Sequence, residues 1–270
     1  MEAVLFVGHG SRVPEANEEL LRFTRKVSEQ LKTPIRETCF LEWESPDISQ
    51  GIEVCIKKGA KKITLLPIML FSAGHMKVDI PMAISEAQRK HAHIQFEYEQ
   101  PIGVDKGMLR ILKRRLHAVQ PKPGNDTAVL IVGRGSSDMD ANSDLYKIAR
   151  MFWEQTQVRW VEVAYYGVTY PRFEEGLERC LALGAKEIVV LPYLLFTGVL
   201  IKRMEENLKQ FQAKNPTICC KMSRYLGADE SLVHFFLERM QKKGRVPEDL
   251  EIRPEPYLSH SSLEIQAKTG

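Results

Sequence analysis

Leu5-Phe6-Val7-Gly8-His9-Gly10-Ser11-Arg12 is an apolar run that ends in two glycines on either side of a histidine. Pro14 follows, and proline is favoured in the first turn of a helix, where the N–H it lacks would have no acceptor. The stretch therefore predicts a buried strand, a tight turn and the start of a helix, with His9 in the turn. In open α/β sheets, ligands bind at this place, beyond the carboxyl ends of the strands.

The turn excludes two familiar motifs without naming a reaction. A dinucleotide-binding fingerprint would need a third glycine at Val13. A histidine-phosphatase turn would need an arginine where Gly8 stands. A plain strand-to-helix turn, in which His9 only caps the backbone, stays open as the alternative to a ligand site.

Strand and helix signals alternate along the first half of the chain. The predicted strands are Ala3–Val7, Ile35–Leu41, Ile63–Leu66 and Ile94–Tyr98. The predicted helices run from Pro14 to about Lys32, from Ile48 to Gly59, from about Val78 to Lys90, and from Met108 to about Val119. Short strands that alternate with longer helices predict an α/β fold with a doubly wound parallel sheet.

The pattern then starts again 125 positions later. Residues 46–77 align with residues 171–202 without a gap, and 13 of the 32 pairs are identical. The turn also recurs, as Val132-Gly133-Arg134-Gly135-Ser136-Ser137. The sequence therefore predicts two similar lobes from an internal duplication, with an active-site cleft between them. We expect each copy to bury its own core and the cleft to hold the ligand.

The predicted domain boundaries follow from this repeat and from composition. They are an N-terminal lobe with the metal and catalytic site over residues 1–120, a linker over 121–126, a substrate-binding lobe over 127–243 and an irregular tail over 244–270.

The repeat also indicates which residues serve the fold and which serve catalysis or binding. Residues that the fold needs should appear in both copies, whereas catalytic residues need appear in only one. At the offset of 125, His9 pairs with Arg134, Glu42 with Gly167 and His75 with Leu200. We predict that His9, Glu42 and His75 lie at the carboxyl ends of neighbouring strands and converge. Two imidazoles and a carboxylate can hold a divalent metal with open coordination positions, or act as bases. Three unrelated residues are the alternative.

Hydrogen-bond donors are predicted around the same cleft. An arginine side chain can grip a carboxylate with two parallel hydrogen bonds, and a ring of donors suits a large polyanion. Phe71 is predicted to add an apolar wall, although its partner Phe196 in the repeat makes a packing role an equal alternative. The predicted donors are Ser11, Arg12, Ser72, Arg134, Ser136, Ser137 and Thr197.

Composition excludes several other classes of function. The net charge of +3 is too small to indicate nucleic-acid binding. No apolar run approaches the ~20 residues of a membrane helix, and the N-terminus is unlike a signal peptide, so we expect a cytoplasmic protein. The five cysteines include no C-x-x-C pair, which argues against disulfides or a zinc knuckle.

Over residues 1–240 the chain resembles the sirohydrochlorin chelatase family, the class II tetrapyrrole chelatases, in its long two-lobe form. The motifs that carry the resemblance are the stretch from Gly8 to Arg12, Phe40-Leu41-Glu42, the stretch from Leu66 to His75, the stretch from Gly133 to Asp138 and the stretch from Leu191 to Gly198.

The resemblance implies insertion of a divalent metal into sirohydrochlorin, a tetrapyrrole with eight carboxylates, and release of two protons. It implies that His9 and His75 bind the metal and serve the pyrrole nitrogens, that Glu42 assists metal delivery and proton removal, and that Gly198 lies in a substrate-binding motif. It implies no organic cofactor. Sirohydrochlorin and the metal are the expected partners, and the duplication suggests a monomer.

Ferrous iron is the predicted metal, with Co²⁺ second and Ni²⁺ a further alternative. The chain lacks the cysteine cluster and the long histidine-rich tail of some cobalt-inserting relatives. A tetrapyrrole or metal carrier without catalytic activity and a two-lobed binder of small anions are the alternative functions. Neither alternative would produce a metallated tetrapyrrole.

Overall fold

The computed structural model describes residues 1–241, with His75 described by its backbone alone. The predicted tail over 244–270 lies outside the described residues. The first half contains β1 (Glu2–Gly8), α1 (Pro14–Glu29), β2 (Ile35–Phe40), α2 (Ile48–Lys57), β3 (Lys62–Pro67), α3 (Gly74–Lys77), α4 (Asp79–Lys90), β4 (Gln95–Tyr98) and α5 (Lys106–Val119). The second half contains β5 (Thr127–Gly133), α6 (Met139–Glu154), β6 (Trp160–Tyr165), α7 (Phe173–Ala182), β7 (Glu187–Pro192), α8 (Val199–Lys214), β8 (Cys219–Met222) and α9 (Glu230–Gln241).

The two halves form two parallel sheets of four strands each, in the orders β2-β1-β3-β4 and β6-β5-β7-β8. The predicted fold class is confirmed. In the first sheet Gly8 is level with Phe40, and Val7 is level with Pro67. The turns that follow β1, β2 and β3 therefore leave the sheet at one edge, as the sequence predicted for the segments of His9, Glu42 and His75.

The core differs from the expectation that each copy buries its own apolar face. One buried cluster is confined to each half, but the largest cluster contains side chains of both. Helix α5 packs on α6 and β7 of the second half, and α9 packs on α1 of the first. Each half thus packs its last helix against the other half, so the largest buried cluster is shared by the two copies.

Polar contacts reinforce this exchange. Asp229 accepts hydrogen bonds from Arg114 at 2.5 Å and from Arg115 at 3.4 Å. Arg115 also donates to the carbonyl oxygens of Tyr225 and Leu226. Since backbone carbonyls and a carboxylate of the second half satisfy two arginines of α5, the helix is held in register against that half.

The segment of His75 is helical, whereas the helix predicted from sequence in this region begins only near Val78. Helix α3 begins at Gly74, and a break at Val78 separates it from α4. Pro81 accounts for the break, because it cannot donate to the carbonyl of Lys77 four residues earlier. The second copy has Glu206 at the matching position, and α8 runs through without interruption.

Within residues 1–241, none of the helices combines the length and the apolar character needed to cross a bilayer.

Candidate functional site

A cleft of about 870 Å³ lies between the two halves. Most of its walls come from the turns after β1, β3, β5 and β7, and Trp43 and Val168 add to them from the turns after β2 and β6. Both copies of the repeat therefore contribute. Much of the surface is apolar, and the polar groups are concentrated at the turns. Of the residues predicted from sequence, the cleft is lined by His9, Ser11, Arg12, Phe71, Arg134, Ser136, Ser137, Thr197 and Gly198.

The other three predicted residues are not among the described residues that line the cleft. Ser72 is described but is not among the residues that line the cleft. Glu42 is half-buried behind the His9 turn and is not a lining residue either. His75 lies in α3, and its side chain is outside the described part of the structure. The roles of all three stay predictions.

The turns after β1 and β2 are held together by their backbones. Leu41 donates its N–H to the carbonyl of Gly8 at 2.9 Å, and Glu42 donates its N–H to the carbonyl of His9 at 3.0 Å. Gly10 has φ of +85°, and a Cβ at this position would lie 1.8 Å from the Glu42 carbonyl oxygen. Glycine is therefore required at position 10 for both conformation and space.

Replacement of Gly10 by alanine is expected to destabilise the protein. The left-handed backbone alone costs a residue with a Cβ about 1–2 kcal/mol, and the overlap with Glu42 adds to it. Thermal unfolding measures the effect, at about 2–4 °C of Tm for each kcal/mol in a protein of this size. Gly74→Ala is the matched control, because its Cβ would meet nothing within 4 Å. An unchanged Tm in Gly10→Ala would contradict this account of the turn.

His9 contacts its counterpart in the repeat across the cleft. Arg134 donates from Nη1 to His9 Nε2 at 3.0 Å, and His9 Nδ1 lies 3.3 Å from the Gly10 carbonyl oxygen. A guanidinium can only donate, so Nε2 must be the acceptor and the ring proton must lie on Nδ1. This contact assigns a neutral imidazole to His9, with its Nε2 lone pair covered by Arg134.

Two asparagines that the sequence analysis did not single out hold the paired turns. Asn17 donates to the Ser11 carbonyl at 2.8 Å, and Asn142 donates to the Ser136 carbonyl, also at 2.8 Å. Asn142 Oδ1 also accepts the N–H of Ser136 at 3.0 Å. Their identity at the offset of 125 was a signal that could have found them.

An ion pair joins the halves beside the cleft. Lys77 Nζ lies 2.6 Å from Asp138 and 3.0 Å from Asp140. The hydrogen bond to Asp138 raises the pKa of Lys77. Burial alone would raise the pKa of Asp138, but Lys77 and the helical N–H groups of α6 outweigh burial and lower it. Both groups therefore stay charged near neutral pH, so this contact between α3 and α6 persists.

The aromatic part of the cleft wall combines the two copies. The Phe71 ring stacks on the Tyr193 ring, with centroids 5.5 Å apart and planes 18° apart. Tyr193 is buried, and its hydroxyl has no hydrogen-bond partner among the described residues. Burial raises its pKa, so the hydroxyl stays protonated. Phe71 thus takes part both in the cleft wall and in packing, the two alternatives raised by the sequence.

Among the described side chains, no group of three His, Cys, Asp or Glu residues is arranged to hold a metal ion. The predicted set includes His75, whose side chain is not among those described. The three-residue metal site therefore stays a prediction, supported by the shared sheet edge and by the position of His9.

Comparison with known proteins gives concordant matches. The model of the CbiX family matches residues 3–119 and again residues 128–243. The "Sirohydrochlorin cobaltochelatase" of Priestia megaterium is 50% identical over 245 residues, which is 90% of this chain and 80% of the relative. The "Sirohydrochlorin ferrochelatase" of the same organism is 36% identical over 89% of this chain and 90% of its own length.

A solved structure shares the architecture. The structure described as "SirB from Bacillus subtilis with Fe3+" matches with a TM-score of 0.79 and 32% sequence identity. The match covers 89% of this chain and 94% of the other. The duplicated fold seen here is therefore also that of a structure that contains a metal ion.

Proposed function

The chain belongs to the CbiX family, the sirohydrochlorin chelatases in their long two-lobe form, and from this we propose that it inserts a divalent metal ion into sirohydrochlorin with release of two protons. One observation carries the proposal beyond family membership. The two copies of one turn meet across the cleft, with the imidazole of His9 on one side and the guanidinium of Arg134 on the other. An imidazole is a common metal ligand, and a guanidinium suits a carboxylate.

The chemistry of the walls supports a tetrapyrrole as the organic substrate. A volume of about 870 Å³ falls in the range of small-molecule and cofactor sites. A tetrapyrrole has a flat apolar ring system and, in sirohydrochlorin, carboxylates at its edge. The apolar part of the cleft surface suits the ring, and the guanidinium groups of Arg12 and Arg134 suit the carboxylates. Because both walls come from one chain, we propose that a monomer forms the complete site.

Arg134 links substrate binding to metal binding in this proposal. While it donates to His9, it occupies the lone pair that a metal ion would need. A carboxylate of sirohydrochlorin is a stronger partner for a guanidinium than a neutral imidazole, because both charges are then satisfied. Entry of the tetrapyrrole would draw Arg134 away from Nε2 and make room there for a metal ion. We therefore propose that tetrapyrrole binding precedes firm metal binding.

Metal transfer follows from the chemistry of three predicted residues. His9 and His75 bind the incoming ion through neutral imidazoles, which leaves coordination positions open for the pyrrole nitrogens. Each of two pyrrole N–H groups loses a proton as the ion enters the ring. The freed imidazoles and the Glu42 carboxylate are the bases available on this wall. Glu42 also contributes an oxygen ligand during delivery.

The preference for one metal is a separate proposal. Ferrous iron is the metal predicted from sequence, because the chain lacks the cysteine cluster of some cobalt-inserting relatives, and it stays a prediction. The relatives give a specific reason for cobalt. From one organism, the protein named cobaltochelatase is 50% identical to this chain and the protein named ferrochelatase is 36% identical. We therefore propose Fe²⁺ and Co²⁺ as candidate metals of equal standing.

An anaerobic assay with sirohydrochlorin and Fe²⁺, Co²⁺ or Ni²⁺ tests both proposals. Metal insertion changes the absorption spectrum of the tetrapyrrole with time. A chelatase gives a catalysed change whose kcat/KM ranks the metals, whereas a carrier binds sirohydrochlorin without a catalysed change. A protein that binds only small anions gives neither, and that result would reject the proposed function.

Replacement of Glu42 by glutamine is expected to lower kcat and leave the KM for sirohydrochlorin nearly unchanged. Glutamine keeps an oxygen ligand but cannot accept a proton at neutral pH, so turnover falls several-fold without being abolished. Steady-state kinetics separate the two parameters. A higher KM with normal kcat would mean that Glu42 contributes uniform binding instead.

A further inference from the structure

Trp43 is exposed at the rim of the cleft. It follows Glu42 directly, lines the cleft, and leaves 58% of its surface accessible. Its backbone has φ of +64°, the one positive value at a non-glycine residue within residues 1–241. A bulky residue in the left-handed region is uncommon. Because the side chain is exposed, its packing adds little stability to offset the cost of this backbone conformation.

The neighbouring backbone explains how the conformation is imposed. Glu42 is tied to His9, and Phe40 donates to the carbonyl of Pro46 at 2.9 Å, so the segment between them must turn sharply. Glycine or asparagine would satisfy such a turn at lower cost. The second copy has Val168 at the matching position, with no positive φ. Strained residues that the fold does not need are concentrated at functional sites.

Trp43 is paired with a cation. The Cζ atom of Arg12 lies 3.7 Å from the centroid of the indole ring. The pair therefore presents a flat aromatic face and a guanidinium together at the cleft rim. A flat conjugated ring with carboxylates at its edge complements both groups at once. A small anion would use only the arginine.

We propose that Trp43 is a binding residue for the face of the tetrapyrrole, an inference that rests on the proposed function. In the free protein its indole is covered by Arg12. In the complex the macrocycle takes that place, and Arg12 turns to a peripheral carboxylate. The segment that carries Trp43 also carries Glu42, so stacking would position the ring against the wall that holds His9.

Metal-free, anaerobic titration of the full chain with sirohydrochlorin tests the proposal. Trp43→Gly removes the indole and suits the positive φ, so the Tm should hold or rise while the Kd increases about tenfold or more, the range seen for loss of one stacked aromatic. Trp43→Phe should restore most of the affinity.

Tyr170→Ala is the matched control. Tyr170 is 67% exposed and stacked with Arg172 at 4.7 Å, but it does not line the cleft. The Kd of the Tyr170→Ala variant for sirohydrochlorin should equal that of the wild type. Equal affinity in Trp43→Gly, or weaker affinity together with a lower Tm, would overturn this inference alone. A wild-type protein that does not bind sirohydrochlorin would overturn the proposed function as well.

Discussion

Replacement of His9 by alanine is expected to abolish metal insertion at every concentration of sirohydrochlorin while the tetrapyrrole still binds. The variant loses the imidazole whose Nε2 faces Arg134, and with it a proposed metal ligand that Arg134 cannot replace. The carboxylate partners proposed for the substrate, Arg12 and Arg134, remain. His75→Ala is expected to give the same result.

Two measurements check this prediction. The anaerobic spectrophotometric assay reports insertion, and a metal-free titration reports binding. His93→Ala is the matched control, because His93 is exposed on the surface and is not a residue of the cleft. It should retain full activity. Full activity in His9→Ala or in His75→Ala would reject the predicted metal-binding set.

The fold could be predicted from sequence because its signals are local. An apolar strand, a glycine turn and a proline at a helix start follow each other within a few residues, as in β1 and α1. The repeat at an offset of 125 shows the same signals a second time, which is why two similar parallel sheets were predictable. The family resemblance also followed from motifs in these turns.

The exchange of α5 and α9 between the halves could not be predicted in the same way. An amphipathic helix shows in its sequence that one face is buried, but not which sheet buries it. The side chains of α5 would be equally apolar in either arrangement. The break before α4 was a missed local signal, because Pro81 stands where a continuous helix would need an N–H donor.

For the candidate site, the sequence predicted which turns meet but not how their side chains engage. The contact from Arg134 to His9 depends on the angle between the two sheets, which no local pattern encodes. The ion pair of Lys77 with Asp138 and the stacking of Arg12 on Trp43 likewise join segments distant in sequence. Of these contacts, the ones from Arg134 to His9 and from Lys77 to Asp138 join the two copies.

Arg134→Ala is expected to raise the KM for sirohydrochlorin about ten- to a hundredfold. A charge-assisted hydrogen bond to a carboxylate is worth about 1.5–3 kcal/mol, and each 1.4 kcal/mol is about tenfold in affinity. The same change removes the competing contact of Arg134 with His9 Nε2, so binding of Co²⁺ to the protein without tetrapyrrole should become tighter. The relative kcat/KM for Fe²⁺ and Co²⁺ should stay the same, since Arg134 is not a ligand.

Sirohydrochlorin binding should weaken while Co²⁺ binding becomes tighter, whereas general damage to the site would weaken both. A lysine offers a point charge but not the paired donors of a guanidinium, so Arg134→Lys should recover only part of the affinity. Arg159→Ala, which removes an arginine stacked on Trp160 outside the cleft, is the control and should leave both readouts unchanged. An unchanged KM in Arg134→Ala would reject its role in substrate binding. An altered metal preference would instead place Arg134 among the groups that select the ion, and the division of labour between the two copies would then be wrong.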